Sequence, residues 1–297
     1  MQKILMIVNP KAGKAKSKKY IENILINLKN SGHSVELEYT TPERNATKII
    51  EEHTLEKEEL IVWGGDGTLN ETLIGLSKTN QNAEIAFIPM GTTNDFARSL
   101  KVSFDELAVS KNLDSYQVKE IDMGIIDDMP FNYVVSMGLF SKASYQTSRK
   151  WKNRIGKAAY YLNGVRELFH YQTHKLKITS GDQVIEDDFL YGSVSNSKYM
   201  GGFPIFRKKD IQLDDGEFEV LLAKKPKFLV NTVVVVLKIL TGSLNDKHIR
   251  YFRTSELKVE APNGIDLSID GEYGGNRKEF IIKNYQKKTK YLVPDRK

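Results

Sequence analysis

The stretch Leu60-Ile61-Val62-Trp63-Gly64-Gly65-Asp66-Gly67-Thr68-Leu69-Asn70-Glu71 decides the fold. Its first four residues are apolar without alternation, the pattern of a strand buried on both faces. From Thr68 onward Leu69, Leu73 and Leu76 recur at helical spacing, which predicts a helix to Lys78. A strand that runs through Gly-Gly-Asp-Gly into a helix N-terminus suits an anion. The glycines remove side chains and permit positive φ, and the helix end offers free N–H groups and a positive dipole. Asp66 would repel a phosphate bound beside it. A divalent cation, held directly or through water against phosphate oxygens, resolves that conflict. The alternative is a tight Asp-Gly turn capped by Thr68.

Three neighbouring segments repeat the arrangement. Ile4-Leu5-Met6-Ile7-Val8 ends at Asn9-Pro10-Lys11-Ala12-Gly13-Lys14, and a helix follows with Ile21, Ile24, Leu25 and Leu28 on one face and Gly32 past its end. The segment lacks the first glycine of a P-loop, but a loop with Gly and Lys between strand and helix still reaches phosphate. Val35 to Tyr39 is a strand ending at Thr40-Thr41-Pro42, with Asn45 as the cap of a helix through about Glu52. Ile85 to Ile88 leads through Pro89-Met90-Gly91-Thr92-Thr93-Asn94-Asp95-Phe96 into a short helix to about Leu100. Ser103 and Glu106 have capping-box spacing for one more helix, ending near Asn112. Successive strand–loop–helix units predict an α/β domain with a largely parallel sheet, its glycine loops gathered beyond the carboxyl ends of the strands.

From Val118 short strand-like runs dominate: Val118–Ile121, Phe131–Ser136, Lys175–Ile178, Tyr191–Ser195, Phe218–Leu222, Glu256–Val259, Ile265–Ile269 and Phe280–Ile282. They predict an antiparallel β-sandwich, interrupted by helices at about Gly156–Phe169 and Phe228–Leu240. The expected domains are 1–120 and 121–285, without a flexible linker. Two acidic clusters, Gln212-Leu213-Asp214-Asp215-Gly216-Glu217 and Asp270-Gly271-Glu272-Tyr273-Gly274-Gly275, each read either as a cation site or as a hairpin turn.

At 297 residues the chain is long enough for two domains with ample core. The absence of Cys excludes disulfides and thiolate metal sites and fits a reducing cytoplasm. The N-terminal apolar run is too short for a signal peptide. Phe228 to Leu240 contains Asn231 and Lys238 and falls short of the about 20 residues a bilayer span needs. The expectation is a soluble cytoplasmic protein, at most peripheral at the inner membrane face. The formal net charge of +6 is unevenly placed. Lys11, Lys14, Lys16, Lys18 and Lys19 fall in one segment, and Arg149, Lys150, Lys152 and Arg154 surround Trp151 in another. Such patches suit polyphosphate or an anionic membrane surface, or are solvated faces. No RNA-recognition, KH or helix-turn-helix pattern accompanies them, so nucleic acid is not an expected partner.

Asn9-Pro10…Gly13, Gly64-Gly65-Asp66-Gly67-Thr68, Pro89-Met90-Gly91-Thr92-Thr93-Asn94-Asp95, Leu213-Asp214-Asp215-Gly216 and Asp270-Gly271-Glu272 follow one another in that order. The series resembles the diacylglycerol kinase catalytic-domain family, most closely its soluble bacterial lipid kinases, over nearly the whole chain. The GGDGT motif alone also suits NAD kinases.

The resemblance implies a nucleotide-binding α/β domain and a β-sandwich lipid-substrate domain, the active site in the cleft between them and the chain end, 286–297, returning to the first. It implies that Asn9, Pro10, Lys11, Ala12, Gly13, Lys14, Thr41, Gly64, Gly65, Asp66, Gly67, Thr68, Leu69, Asn70 and Thr92 contact ATP. Asp66 serves a catalytic Mg²⁺, Asp95 supports the cleft, and Glu272 is the general base, with Asp270 the second candidate. A structural Mg²⁺ is implied at Asp215, with backbone oxygens of Gln212 and Glu217. Lys209-Asp210-Ile211 departs from the family's usual P-x-A before that turn. The implied activity is transfer of phosphoryl from Mg–ATP to a lipid hydroxyl, commonly that of diacylglycerol, with the Trp151 segment docking on an anionic membrane. An NAD kinase-like phosphotransferase and a non-catalytic ATP- and lipid-binding sensor are the competing readings. Oligomeric state, a homodimer included, stays open.

Overall fold

The computed structural model describes residues 3–12, 17–55, 59–105, 107–139, 173–206 and 211–295. The chain divides into two compact units, Met1–Ile121 with Lys287–Lys297, and Asp122–Gln286.

The first unit contains, in order, β1 (Lys3–Val8), α1 (Ser17–Asn30), β2 (Ser34–Tyr39), α2 (Ala46–Glu52), β3 (Glu59–Gly64), α3 (Asp66–Thr79), β4 (Glu84–Pro89), α4 (Asp95–Leu100) and α5 (Ala108–Asn112). β1 pairs parallel with β2 and β3, β3 with β4, and β4 with the far end of β13 (Glu272–Pro294) through Lys290 and Tyr291. The unbroken apolar runs follow from burial on both faces. Ile4, Met6, Val8, Ile61, Trp63, Ala86 and Ile88 form one core with Ile21, Ile24 and Leu28 of α1. The alternate residues Leu5, Ile7, Leu60 and Val62 point to the opposite face and are buried too. Val8 is level with Tyr39 and Trp63, and Trp63 with Ile88, so the loops after all four strands leave from one edge. Asn45 caps α2 by accepting the Lys48 N–H. The Ser103–Glu106 capping box does not start the next helix. Ser103 Oγ accepts from the Asp105 N–H, Asp105 Oδ1 from the Leu107 N–H, and α5 begins only at Ala108. Glu106 itself lies outside the described residues.

β5 (Tyr116–Ile126) carries the chain into the second unit, where β6 (Met129–Phe131), β7 (Val134–Gly138), β8 (His174–Ser180), β9 (Gln183–Ser195), β10 (Phe218–Lys224), α6 (Leu229–Leu240), β11 (Ile249–Thr254), β12 (Glu256–Ile269) and most of β13 follow. Strand pairing here is antiparallel, so the described chain as a whole is more antiparallel than parallel. The long strands β9 and β12 each serve two layers. The first half of β9 pairs with β8 and its second half with β7 and β10; β12 pairs likewise with β8 and then with β7. Leu176 and Ile178 of β8 therefore share a core with Val135, Met137, Val220 and Leu267.

The expected strand Phe131–Ser136 is two strands, broken at the buried Asn132 and Tyr133. Glu256–Val259 and Ile265–Ile269 are one strand with irregular register between Glu260 and Ile265. The expected helix at 156–169 and the basic segment around Trp151 lie outside the described residues.

Candidate active site

At the common edge of the first unit, β3 ends at Gly64 and α3 starts at Asp66, with Gly65 as extended N-cap. The first N–H groups of such a helix have no acceptor within it. The loops around it pack with almost nothing between them. A Cβ on Gly65 would lie 3.2 Å from Gly91 Cα, and one on Gly91 would lie 2.8 Å from Gly65 Cα. A Cβ on Gly64 would lie 2.5 Å from that of Thr68. The glycines are thus required by contact and not, as the sequence suggested, by positive φ, since Gly64, Gly65 and Gly91 all lie outside the left-handed region.

The β1 loop is tied to this helix. Asn9 Nδ2 donates to Thr68 Oγ1 at 2.9 Å, the Asn9 backbone N–H to the Trp63 carbonyl at 2.9 Å, and Asn9 Oδ1 accepts from the Lys11 N–H. Pro10 and Lys11 are exposed and Ala12 half-buried; Gly13 and Lys14 lie outside the described residues. In the β4 loop Asn94, buried and at φ +49°, accepts from the Gly91 N–H and donates back to its carbonyl, both at 2.9 Å. Thr93 Oγ1 donates to Asp66 Oδ2 at 3.4 Å. Thr92 is exposed, and Asp95 is buried at the start of α4. Thr41 is exposed beyond β2, where its hydroxyl accepts the Arg44 N–H. Leu69 is buried and Asn70 half-buried on α3. A carboxylate at a helix N-terminus, with side-chain-free loops around it, fits a nucleotide phosphate and its hard cation.

In the second unit Asp270 and Gly271, at φ +47° and +86°, form the two-residue turn joining β12 to β13. Positive φ at both residues breaks strand alternation, and the two carboxylates part company. Asp270 is buried, and its carboxylate accepts backbone N–H groups from Asn132 at 2.7 Å and from Tyr133 and Val134 at 3.0 Å each. Glu272 is exposed at the first position of β13.

The acidic turn before β10 is held by groups the sequence reading did not single out. Gly216, at φ +82°, donates its N–H to Asp122 Oδ2 at 2.6 Å, and Asn284 Nδ2 reaches the same oxygen at 3.2 Å. Asp215 Oδ1 accepts the Glu217 N–H at 3.1 Å, while Oδ2 pairs with the Arg253 guanidinium. Arg253 also meets Glu217 at 3.1 Å and Glu219 at 3.4 Å. Burial pushes the Glu219 carboxyl up, against the Tyr251 hydroxyl and the Arg253 charge. Gln212 is exposed. Both Asp215 oxygens have a partner, and a cation bound here would face the charge of the guanidinium. Lys209 and Asp210, upstream, lie outside the described residues.

The order of these features along the chain has counterparts. A model of the diacylglycerol kinase catalytic domain matches residues 3–126, and one of the YegS C-terminal NAD kinase beta sandwich-like domain matches residues 133–279. The diacylglycerol kinase of Staphylococcus carnosus is 30% identical over 273 residues, 91% of this chain and 88% of that protein. The chain belongs to the diacylglycerol kinase family. The Bacillus subtilis diacylglycerol kinase is similar, at 29% identity over 277 residues, covering 93% of this chain and 91% of that one. A solved diacylglycerol kinase structure from Bacillus anthracis matches with a TM-score of 0.78 at 25% identity, covering 98% of this chain and 97% of that one. The family's two domains, an α/β unit and a β-sandwich, are those described above.

Proposed function

We propose that this protein is an ATP-dependent lipid kinase that phosphorylates the hydroxyl of diacylglycerol to give phosphatidic acid. The observation that supports it most is the Gly64–Asn70 segment, where a buried parallel strand passes through Gly65 into the α3 N-terminus with Asp66 at the first helical position. Membership of the diacylglycerol kinase family over nearly the whole chain supports a lipid acceptor.

In this reading Asn9 to Lys14, Thr41, Gly64 to Asn70 and Thr92 line the nucleotide. The α3 N–H groups take phosphate oxygens, and Asn9 holds Thr68 in place for them. Asp66, its carboxylate oriented by Thr93, would hold a Mg²⁺ ion, which would supply positive charge to the nucleotide phosphates. The acceptor oxygen forms a bond to the γ-phosphorus as the bond to the β–γ bridging oxygen breaks, and ADP leaves. Glu272 takes the hydroxyl proton. Asp270 is a positioning residue that fixes the turn carrying Glu272. At the Asp215 turn Arg253 supplies a positive charge among the carboxylates, and this reading assigns no resident metal there. No described helix is long and apolar enough to cross a membrane; a cytoplasmic, peripheral placement, with the acceptor met at the bilayer surface, is part of the proposal.

Labelled ATP with Mg²⁺, offered to diacylglycerol, phosphatidylglycerol and a long-chain base in mixed micelles with NAD as a soluble control, tests the reading. Labelled phosphatidic acid is expected. Label in NADP would make the protein an NAD kinase, and ATP binding without transfer to any acceptor would make it a sensor.

A further inference from the structure

Helix α6 is apolar on both sides yet buried on only one. Thr232, Val235, Val236 and Ile239 turn inward, where Val236 packs with Leu139 and Leu190. Val230, Val233, Val234 and Leu237 have the same i, i+3, i+4, i+7 spacing on the other side and face water. Val230 is 73% exposed, Leu237 55%, and Phe228, just ahead of the helix, 61%. A soluble helix normally presents polar residues on its outer face, and an all-round apolar one is normally covered. Single exposed apolar residues need no explanation, but four on one helix face with an exposed Phe228 just ahead of them do.

The charge around the ridge narrows the occupant. The sequence has no acid between Glu219 and Asp246, and that stretch holds Lys224, Lys225, Lys227 and Lys238. Lys225 and Lys227 are exposed, with Lys227 Nζ 5.7 Å from the centre of the Phe228 ring, and Lys247 and Arg250 are exposed beyond the helix. Nearby carboxylates are engaged: Asp187 with Lys224, Asp246 with Lys238. Asp188 stays exposed and offsets only part of the excess. A ridge of Phe, Val and Leu flanked by lysines is the composition of a helix that lies in a membrane interface. At 12 residues α6 is about 18 Å long, sufficient to lie flat and too short to span.

We propose that α6 is an interfacial anchor, its Phe228–Leu237 ridge entering an anionic leaflet while Lys225 and Lys227 contact lipid phosphates. The proposal rests on the lipid kinase reading only for its purpose, and the following test does not need turnover. Wild-type protein without ATP is sedimented with vesicles of phosphatidylcholine alone or mixed with phosphatidylglycerol. Wild type should bind the mixed vesicles. Val230→Ser/Val234→Ser/Leu237→Ser and Lys225→Glu/Lys227→Glu should each lose about tenfold or more in partitioning. Leu237→Trp should keep binding, shift its emission to the blue and be quenched by brominated acyl chains. All variants should keep wild-type melting temperatures and phosphorylate a short-chain, monomeric diacylglycerol at the wild-type rate. Unchanged vesicle binding by the triple variant, or no quenching in Leu237→Trp, overturns the proposal. So does a wild-type dimer in sedimentation velocity that the triple variant dissociates while vesicle binding persists, since the ridge would then join two copies. Failure of wild type to phosphorylate the soluble acceptor, with vesicle binding intact, would instead remove the kinase reading.

Discussion

The Asn132 backbone N–H points at Asp270 Oδ2 from 2.7 Å, joining the β6–β7 break to the turn that presents Glu272. The two acids of the Asp-Gly-Glu motif are thereby separated into a buried acceptor of backbone N–H groups and an exposed carboxylate. Glu272→Gln should lower kcat by ~10²–10⁴ with little change in the KM for ATP or in Tm. Asp270→Asn replaces an acceptor oxygen by a donor amid three N–H groups and should cost about 1–3 kcal/mol of stability. Thermal melts and steady-state kinetics distinguish the two. A stable, inactive Asp270→Asn with Glu272→Gln near wild type would move the base to Asp270.

Asp66→Asn preserves shape at the α3 N-terminus and removes charge. Turnover should fall on the order of 10²-fold or more, and raising Mg²⁺ should recover part of it, while Tm without nucleotide stays near wild type. Full activity at saturating Mg²⁺ would leave Asp66 a turn residue.

Arg253 pairs with Asp215, Glu217 and Glu219 together and occupies the place between them. The wild-type Tm without nucleotide should therefore be equal in EDTA and in millimolar Mg²⁺. Arg253→Met should melt earlier in EDTA and regain part of the loss with Mg²⁺, because a cation can then take the empty place. A wild-type Tm that falls in EDTA, with Mg²⁺ found in the purified protein, would put a resident ion at Asp215.

Asp246 fastens the loop beyond α6 through Lys238 at 2.6 Å and the His248 N–H at 2.9 Å. These partners, Lys238 foremost, hold its carboxyl at about 2 against an ordinary 3.8. A depressed carboxylate pKa stabilises the fold above the unfolded value and loses that contribution as pH falls through the folded one. Asp246→Asn should lower Tm at pH 7, and the gap to wild type should close between about pH 4 and pH 2. A gap that is constant over that range would remove the ionic account.

Much of the first unit was legible because burial on both faces leaves a one-dimensional trace. Ile4–Val8, Leu60–Trp63 and Ile85–Ile88 are runs with no polar interruption, and each is a strand. β11 left no such trace, since Arg250, Tyr251 and Arg253 interrupt its apolar residues and its identity depends on pairing with β10. The site was legible as motifs and illegible as contacts. Nothing near Asp215 in sequence announces Arg253, 38 residues away, and nothing near Asp270 announces the amides at 132–134. The departure of Asp270 from Glu272 follows from positive φ at Asp270 and Gly271, which the Asp-Gly pair permits without requiring.

The Gly65–Gly91 contact sets a limit on how this enzyme can change. Two backbones touch there without a side chain between them, so no substitution at the contact can be absorbed by a new rotamer. The spacing of the two glycine loops is inherited from the β3–β4 hydrogen bonds behind them, and it moves only if the strands move. If these loops hold ATP as proposed, selection for a different phosphate donor would have to act through Thr41 or the exposed Pro10 and Lys11, while the Gly65–Gly91 contact stays as the sheet dictates.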